Sequence, residues 1–241
     1  TAVRRRAPRL TPMTATPTVL PVDDTAVVWS LPEPERNQAL AQRPLLVMLH
    51  GFGSNEQDLA GLFQALGPKY LMASLRAPLP LQEMSGSYAW FPLDPERLAN
   101  PDPALADAAT RGVLRWLEHT QAQVRSPGPV GLLGFSQGAA TCLQMLRHQP
   151  ETFACAALLS GFVVPGLHSG DEALAQIRPP VFTGADPADP IIPPEATKRL
   201  EAFAREHTTV TAKTYPGVGH SISPAELHDV VTFLRTHLGG P

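Results

Sequence analysis

The sequence predicts an α/β protein with a mostly parallel central sheet and helices on both faces. Short apolar runs at 26–31, 45–49, 70–75, 130–133, 153–159, 181–183 and 210–215 alternate with longer stretches of helical periodicity, the arrangement of βαβ units. Several of those helical stretches open on start signals that follow a strand and its loop. Of 241 residues, 43% are hydrophobic and 17% charged, enough apolar material for a core and too little charge for a disordered chain.

In chain order, residues 1–22 mix Thr, Pro and Arg without periodicity and read as a flexible arm, leaving 23–241 as one domain. Arg4, Arg5, Arg6 and Arg9 are followed by no apolar h-region, so no secretory signal is expected. Ser54-Asn55-Glu56-Gln57 reads as a capping box, and Leu59, Leu62, Phe63 and Leu66 then form one helical stripe. Residues 77–103 are Pro-rich and read as a long irregular excursion. Further helices are expected at 104–120, 137–147 and 194–206. A last one starts at Ser223-Pro224-Ala225-Glu226, with Ser at N-cap, Pro at N1 and Glu at N3, ahead of Leu227, Val230, Val231, Leu234 and Leu238. Much of the content of 27 prolines falls in the loops between these elements, where a fixed φ lowers the entropy lost on ordering.

The charge balance excludes one class of function. With 19 Lys and Arg against 22 Asp and Glu, net −3, the chain lacks the basic excess that binding a phosphate backbone demands, so no nucleic acid is expected as a partner. No apolar run approaches the roughly 18 residues of a membrane span. Cys142 and Cys155 sit in apolar contexts and read as free buried thiols, which points to the cytoplasm.

The chemistry concentrates at Gly134-Phe135-Ser136-Gln137-Gly138, a G-x-S-x-G pattern between an apolar strand and an Ala-rich helix. There a sharp turn presents the serine hydroxyl at the carboxyl edge of the sheet, and the helix N-terminus adds N–H groups and a positive dipole end. A serine is a poor nucleophile alone, so a carboxylate and a histidine are needed downstream, in that order. His220 lies in the Gly-flanked loop Tyr215-Pro216-Gly217-Val218-Gly219, just before the last helix. The carboxylate belongs in the loop after 181–183, where Asp186 and Asp189 both stand; Asp189 is preferred because Asp-Pro-Ile-Ile-Pro leads into the next helix. The oxyanion donors expected are the main-chain N–H groups of Gln137 and of Phe52, in the loop Leu49-His50-Gly51-Phe52-Gly53-Ser54. His50 ends a strand and is expected to brace this loop. His119, His148, His168, His207, His228 and His237 read as solvated or partly packed. With no H-E-x-x-H and no paired cysteines at zinc spacing, no metal is expected.

Seven ordered blocks, LHGFGSNEQDL at 49–59, LRAPLP at 75–80, YAWFPLDP at 88–95, GFSQGAA at 134–140, LLSGF at 158–162, DPIIP at 189–193 and PGVGHSISPAEL at 216–227, resemble the phospholipase/carboxylesterase family of α/β-hydrolases. The resemblance implies the α/β-hydrolase fold. It also implies a cofactor-free serine hydrolase that cleaves small carboxylic esters of short to medium acyl chains, or thioesters or lysophospholipids, through an acyl-enzyme. By position, Ser136, Asp189 and His220 match the family's triad, and Phe52 and Gln137 its oxyanion donors. Trp90 and Phe91 match the segment beside its acyl pocket, with Phe162 close by; core packing is the competing reading of all three. One departure is visible: the family places the aspartate three residues after the strand-ending Gly, whereas Asp189 is five after Gly184 and Asp186 two. An acyltransferase working through the same intermediate and a catalytically silent binding protein are the alternatives, and a homodimer is left open.

Overall fold

The helix and strand signals assemble around one sheet in the computed structural model, which describes residues 17–82, 84–93 and 100–239. Most of the arm expected at 1–22 and part of the 77–103 excursion, including Pro95, lie outside the described residues. The chain runs β1 (Val28–Trp29), α1 (Glu33–Gln42), β2 (Leu45–Leu49), α2 (Glu56–Ala60), α3 (Phe63–Leu66), β3 (Leu71–Leu75), a small hairpin of β4 (Leu79–Pro80) and β5 (Tyr88–Ala89), and α4 (Pro103–Gln121). It continues with β6 (Val130–Phe135), α5 (Gln137–His148), β7 (Phe153–Leu159), α6 (Asp171–Ile177), β8 (Pro180–Ala185), α7 (Pro194–His207), β9 (Thr209–Thr214) and α8 (Pro224–His237). The seven-stranded sheet has the order β1-β3-β2-β6-β7-β8-β9. Only the edge strand β1 is antiparallel to its neighbour; every other pair is parallel.

Helices cover both faces because successive strand side chains point to opposite sides. Along β2, Leu45, Val47 and Leu49 join a core completed by Val113 and Leu117 of α4, Leu143 and Leu146 of α5 and Leu200 of α7. The intervening Leu46 and Met48 join a second core with Leu59 of α2, Leu66 of α3 and Val230 and Leu234 of α8. A strand buried on both faces explains the unbroken apolar run LLVML, which carries no alternation.

Several local expectations change. The single stripe at 56–66 is broken into α2 and α3 at Gly61 and Leu62, and the cap of α2 is Asn55, whose side chain accepts from Gln57 N, rather than Ser54, whose hydroxyl donates to Asp58. The cap of α8 is Ser223, which accepts from Glu226 N at 3.1 Å. Helices α1 and α6 and the β4–β5 hairpin were not anticipated. Residues 17–22, read as loose, run along α4: Leu20 N donates to Ala108 O, Arg111 Nε donates to Thr18 O, and a Cβ on Gly112 would fall 1.7 Å from Leu20 O. Gly112 is therefore the close-approach point that seats this segment.

Candidate active site

Ser136 sits between β6 and α5 with φ 55 and ψ −116, a left-handed conformation that costs a non-glycine residue about 1–3 kcal/mol. The surrounding packing imposes it. A Cβ on Gly134 would lie 2.5 Å from Gly138 O, and one on Gly138 only 1.9 Å from Leu49 O, so β6, the first turn of α5 and the end of β2 meet at backbone distance. The Ser136 N–H donates to Leu159 O at 2.8 Å, carrying the β6–β7 ladder one residue past the strand. Gln137 begins α5, and its N–H belongs to the first turn, which has no intrahelical acceptor. The loop after β2 abuts the serine: a Cβ on Gly51, the residue before Phe52, would stand 3.3 Å from Ser136 Cβ.

His220 lies beyond β9 in a turn that needs left-handed backbone at Gly217 (φ 82) and Gly219 (φ 67). Its ring packs on Phe135, the neighbour of Ser136, with centroids 4.8 Å apart. Its Nδ1–H donates to Asp189 Oδ2 at 2.7 Å, while Asp189 Oδ1 accepts from Ile191 N (2.7 Å) and Ile192 N (3.0 Å). That bond fixes the neutral tautomer with its lone pair on Nε2. Of the two aspartates the sequence offered, Asp189, the preferred one, meets the histidine.

Asp186 has a different task. Its Oδ1 accepts from Ala188 N at 2.8 Å and its Oδ2 from Gly219 N at 2.7 Å, so it ties the loop that carries Asp189 to the residue before His220. Backbone donors, Ala188 first, hold its carboxyl below the usual range. Asp189 N returns to Asp186 O at 3.1 Å. This compact turn absorbs the extra residues that separate Asp189 from Gly184. Nothing local in the sequence announces the Asp186–Gly219 bond, because the partners are 33 residues apart.

The segment at 88–91 forms the other wall. Gln137 clamps it: its Oε1 accepts from Trp90 N at 2.9 Å and its Nε2 donates to Phe91 O at 2.7 Å. Trp90 Nε1 donates to His50 O at 2.8 Å. His50 is fully buried; its Nδ1 donates to Gly51 O (2.8 Å) and its Nε2 accepts from Ala77 N (3.1 Å), and burial depresses its basicity. It is a neutral brace for the Gly51–Phe52 loop. Trp90, Phe91 and Phe162, expected beside an acyl pocket, are 0%, 0% and 1% exposed, and Phe91 meets Phe162 edge-on at 6.5 Å. As packed they are core that holds the wall in place. A groove of about 350 Å³ adjoins His220, lined by Asp58, Leu59, Leu62, Phe135, His220, Ser221 and Ile222.

This architecture has close parallels among known proteins. Residues 36–238 match the Phospholipase/Carboxylesterase family. Acyl-protein thioesterase 1 of Kluyveromyces lactis is 28% identical over 221 residues, covering 84% of this chain and 95% of that protein. The crystal structure of esterase PE8 superposes with a TM-score of 0.70 at 27% identity, over 83% of this chain and 96% of that one. The Bacillus cereus carboxylesterase shares the fold with a TM-score of 0.72 at 20% identity, over 88% and 93% of the two chains. With its sheet order and its serine turn accounted for, the chain belongs to the phospholipase/carboxylesterase family of α/β-hydrolases, the enzymes that hydrolyse carboxylic esters.

Proposed function

We propose that this chain is a serine carboxylesterase in which Ser136 is the nucleophile, His220 the general base and Asp189 the carboxylate that orients it. The carrying observation is the 2.7 Å bond from His220 Nδ1 to Asp189, made by a ring packed at a tilt on the neighbour of a strained, sheet-edge serine. Ser136 Oγ attacks the acyl carbon as His220 Nε2 takes its proton, and Asp189 stabilises the imidazolium. The negative charge on the carbonyl oxygen is met by the N–H groups of Phe52 and Gln137, reinforced by the dipole of α5. His220 then hands the proton to the departing alkoxide. Water, deprotonated by the same ring, attacks the acyl-enzyme and frees the acid.

The groove beside His220, walled by Leu59, Leu62, Phe135 and Ile222, supports substrates with short to medium apolar chains. Thioesters are the second reading, favoured by the name of the Kluyveromyces lactis relative. Two buried, unpaired cysteines agree with a reducing, cytoplasmic setting.

Hydrolysis of p-nitrophenyl butyrate tests the assignment. Ser136→Ala is expected to lose turnover by at least about 10³-fold, and Asp189→Asn to lower kcat on the order of 10⁴-fold with KM little changed. A fluorophosphonate should label Ser136 in the folded protein. Undiminished turnover in Ser136→Ala would sink the mechanism, and failure of the label together with no hydrolysis would identify a binding protein on a hydrolase scaffold.

A further inference from the structure

Outside the esterase site, three side chains from three elements converge: Asp107 of α4, His148 at the last residue of α5 and His168 in the segment between β7 and α6. One ligand atom of each lies within 4.8 Å of the others. His148 Nε2 is 3.2 Å from Asp107 Oδ1, and the two imidazoles meet at 61° with centroids 4.2 Å apart. All three residues are partly buried. The spacing 107, 148, 168 matches no linear metal motif, which is why reading the sequence for local ligand patterns passes over it.

We propose that Asp107, His148 and His168 form a binding site for a divalent transition metal of the zinc class. Two imidazoles and a carboxylate are the borderline donors zinc takes, at about 2.0–2.2 Å from the metal, which puts neighbouring donors of a tetrahedron roughly 3.3 Å apart. The His148–Asp107 pair already has that separation, and His168 closes by ~1 Å or more on loading. Three protein donors leave a fourth position to water.

The surroundings carry both signs, since the Arg147 guanidinium pairs with Asp171 beside His168. The carbonyl end of α5 carries partial negative charge at His148. Gln144 Nε2 donates to Asp107 Oδ1 at 2.9 Å and orients that carboxylate. The His168 backbone is pinned by its N–H to Asp171 Oδ2 (3.0 Å), and Asp171 is held in turn by Arg147. Loading has two costs: ligation through His148 Nε2 moves the proton that this nitrogen donates to Asp107 Oδ1 (3.2 Å) to Nδ1 and gives up that bond, and the second cost falls on His168. His168 Nδ1 accepts from Gly170 N at 3.1 Å, so ligation through Nε2 moves the ring proton to Nδ1, and ligation through Nδ1 displaces the Gly170 N–H; that bond is given up either way.

The site sits at the far end of α5 from Ser136, with His148 twelve residues on, or roughly 18 Å along the helix. A metal there ties α4, α5 and the β7–α6 segment together without entering the ester chemistry.

The full-length protein, stripped with a chelator and titrated with zinc chloride by calorimetry, is expected to bind about one equivalent and to gain thermal stability. Cobalt in its place is expected to give the visible absorption of a site with two nitrogen ligands. His148→Gln and His168→Gln should each weaken zinc binding at least about tenfold and abolish the thermal shift. Absence of binding to the parent protein overturns the proposal, as does affinity unchanged in both variants, which would place the metal on other histidines such as His207 or His237. Where His148→Gln fails to fold, His168→Gln, in a connecting segment, decides alone.

Discussion

Asp186 and Glu226 show how much a carboxylate's role depends on what stands beside it. Asp186 uses both oxygens as acceptors for backbone N–H groups. Asparagine offers one acceptor, and its amide N–H₂ would face a donor, so the acid-to-base loop link breaks or inverts. Asp186→Asn is expected to lower kcat about tenfold through misplacement of His220, far less than the loss proposed for Asp189→Asn; equal losses in steady-state assays would show that the two aspartates share one task. Glu226 is 1% exposed, its Oε1 finds no partner among the described residues, and a Cβ on Gly184 would lie 2.3 Å from that oxygen. Burial pushes its carboxyl up to about 7. Folded protein therefore holds this proton over a range where the unfolded chain has released it. The native state accordingly loses stability as pH rises from about 4.5 to 7, by on the order of 3 kcal/mol. Glu226→Gln is expected to raise the denaturation midpoint at pH 8 and to change it little at pH 5; equal effects at both would refute the buried acid.

At the scale of elements, α5 carries a buried cation at the end opposite the serine. Arg147 is 2% exposed. It reaches Asp171 through two bonds of 2.7 and 2.8 Å, donates to Gln144 Oε1, Val164 O and Gly166 O, and lies over the Phe203 ring. Reading a basic residue in a last helical turn suggests a solvated side chain facing the dipole, so this role was not legible. Arg147→Ala leaves Asp171 uncompensated and is expected to cost about 3 kcal/mol in urea denaturation; a loss below about 0.5 kcal/mol would mean that solvent replaces the pair. The two helices the sequence hid have a common reason. Among the described residues of α1 only Ala39 and Leu40 are buried, and of α6 only Leu174, so neither writes a stripe. Strands β2 and β7, buried across nearly their whole length, were legible residue for residue. The 56–66 stripe was also legible, but periodicity alone could not reveal the break at Gly61 and Leu62.

For the molecule as a whole, parallel topology does most of the positioning. Strands β6, β8 and β9 end at the same edge of the sheet, and the serine turn and the loops of Asp189 and His220 continue from them. The order serine, aspartate, histidine and the Gly-flanked turns were readable because they are local. Asp189 was preferred over Asp186 and core packing was weighed for the aromatics, but what depended on distance was not readable: the bond from Asp186 to Gly219 and the Gln137 clamp on Trp90 and Phe91. Each is decided by partners about 30 to 50 residues away whose meeting only the folded sheet arranges.

The connection between β7 and α6 also divides the molecule. Leu167 stands wholly exposed there, with the proposed nucleophile and oxyanion donors on one side of it and the acid and base on the other. The β7–β8 pairing that crosses the division is parallel and continuous from Ala156 to Leu159. A chain severed at Leu167 thus yields two pieces that are each inert as esterases. Co-expressed, they are expected to regain activity to the extent that this strand pairing reforms, which would make ester turnover a reporter of fragment association.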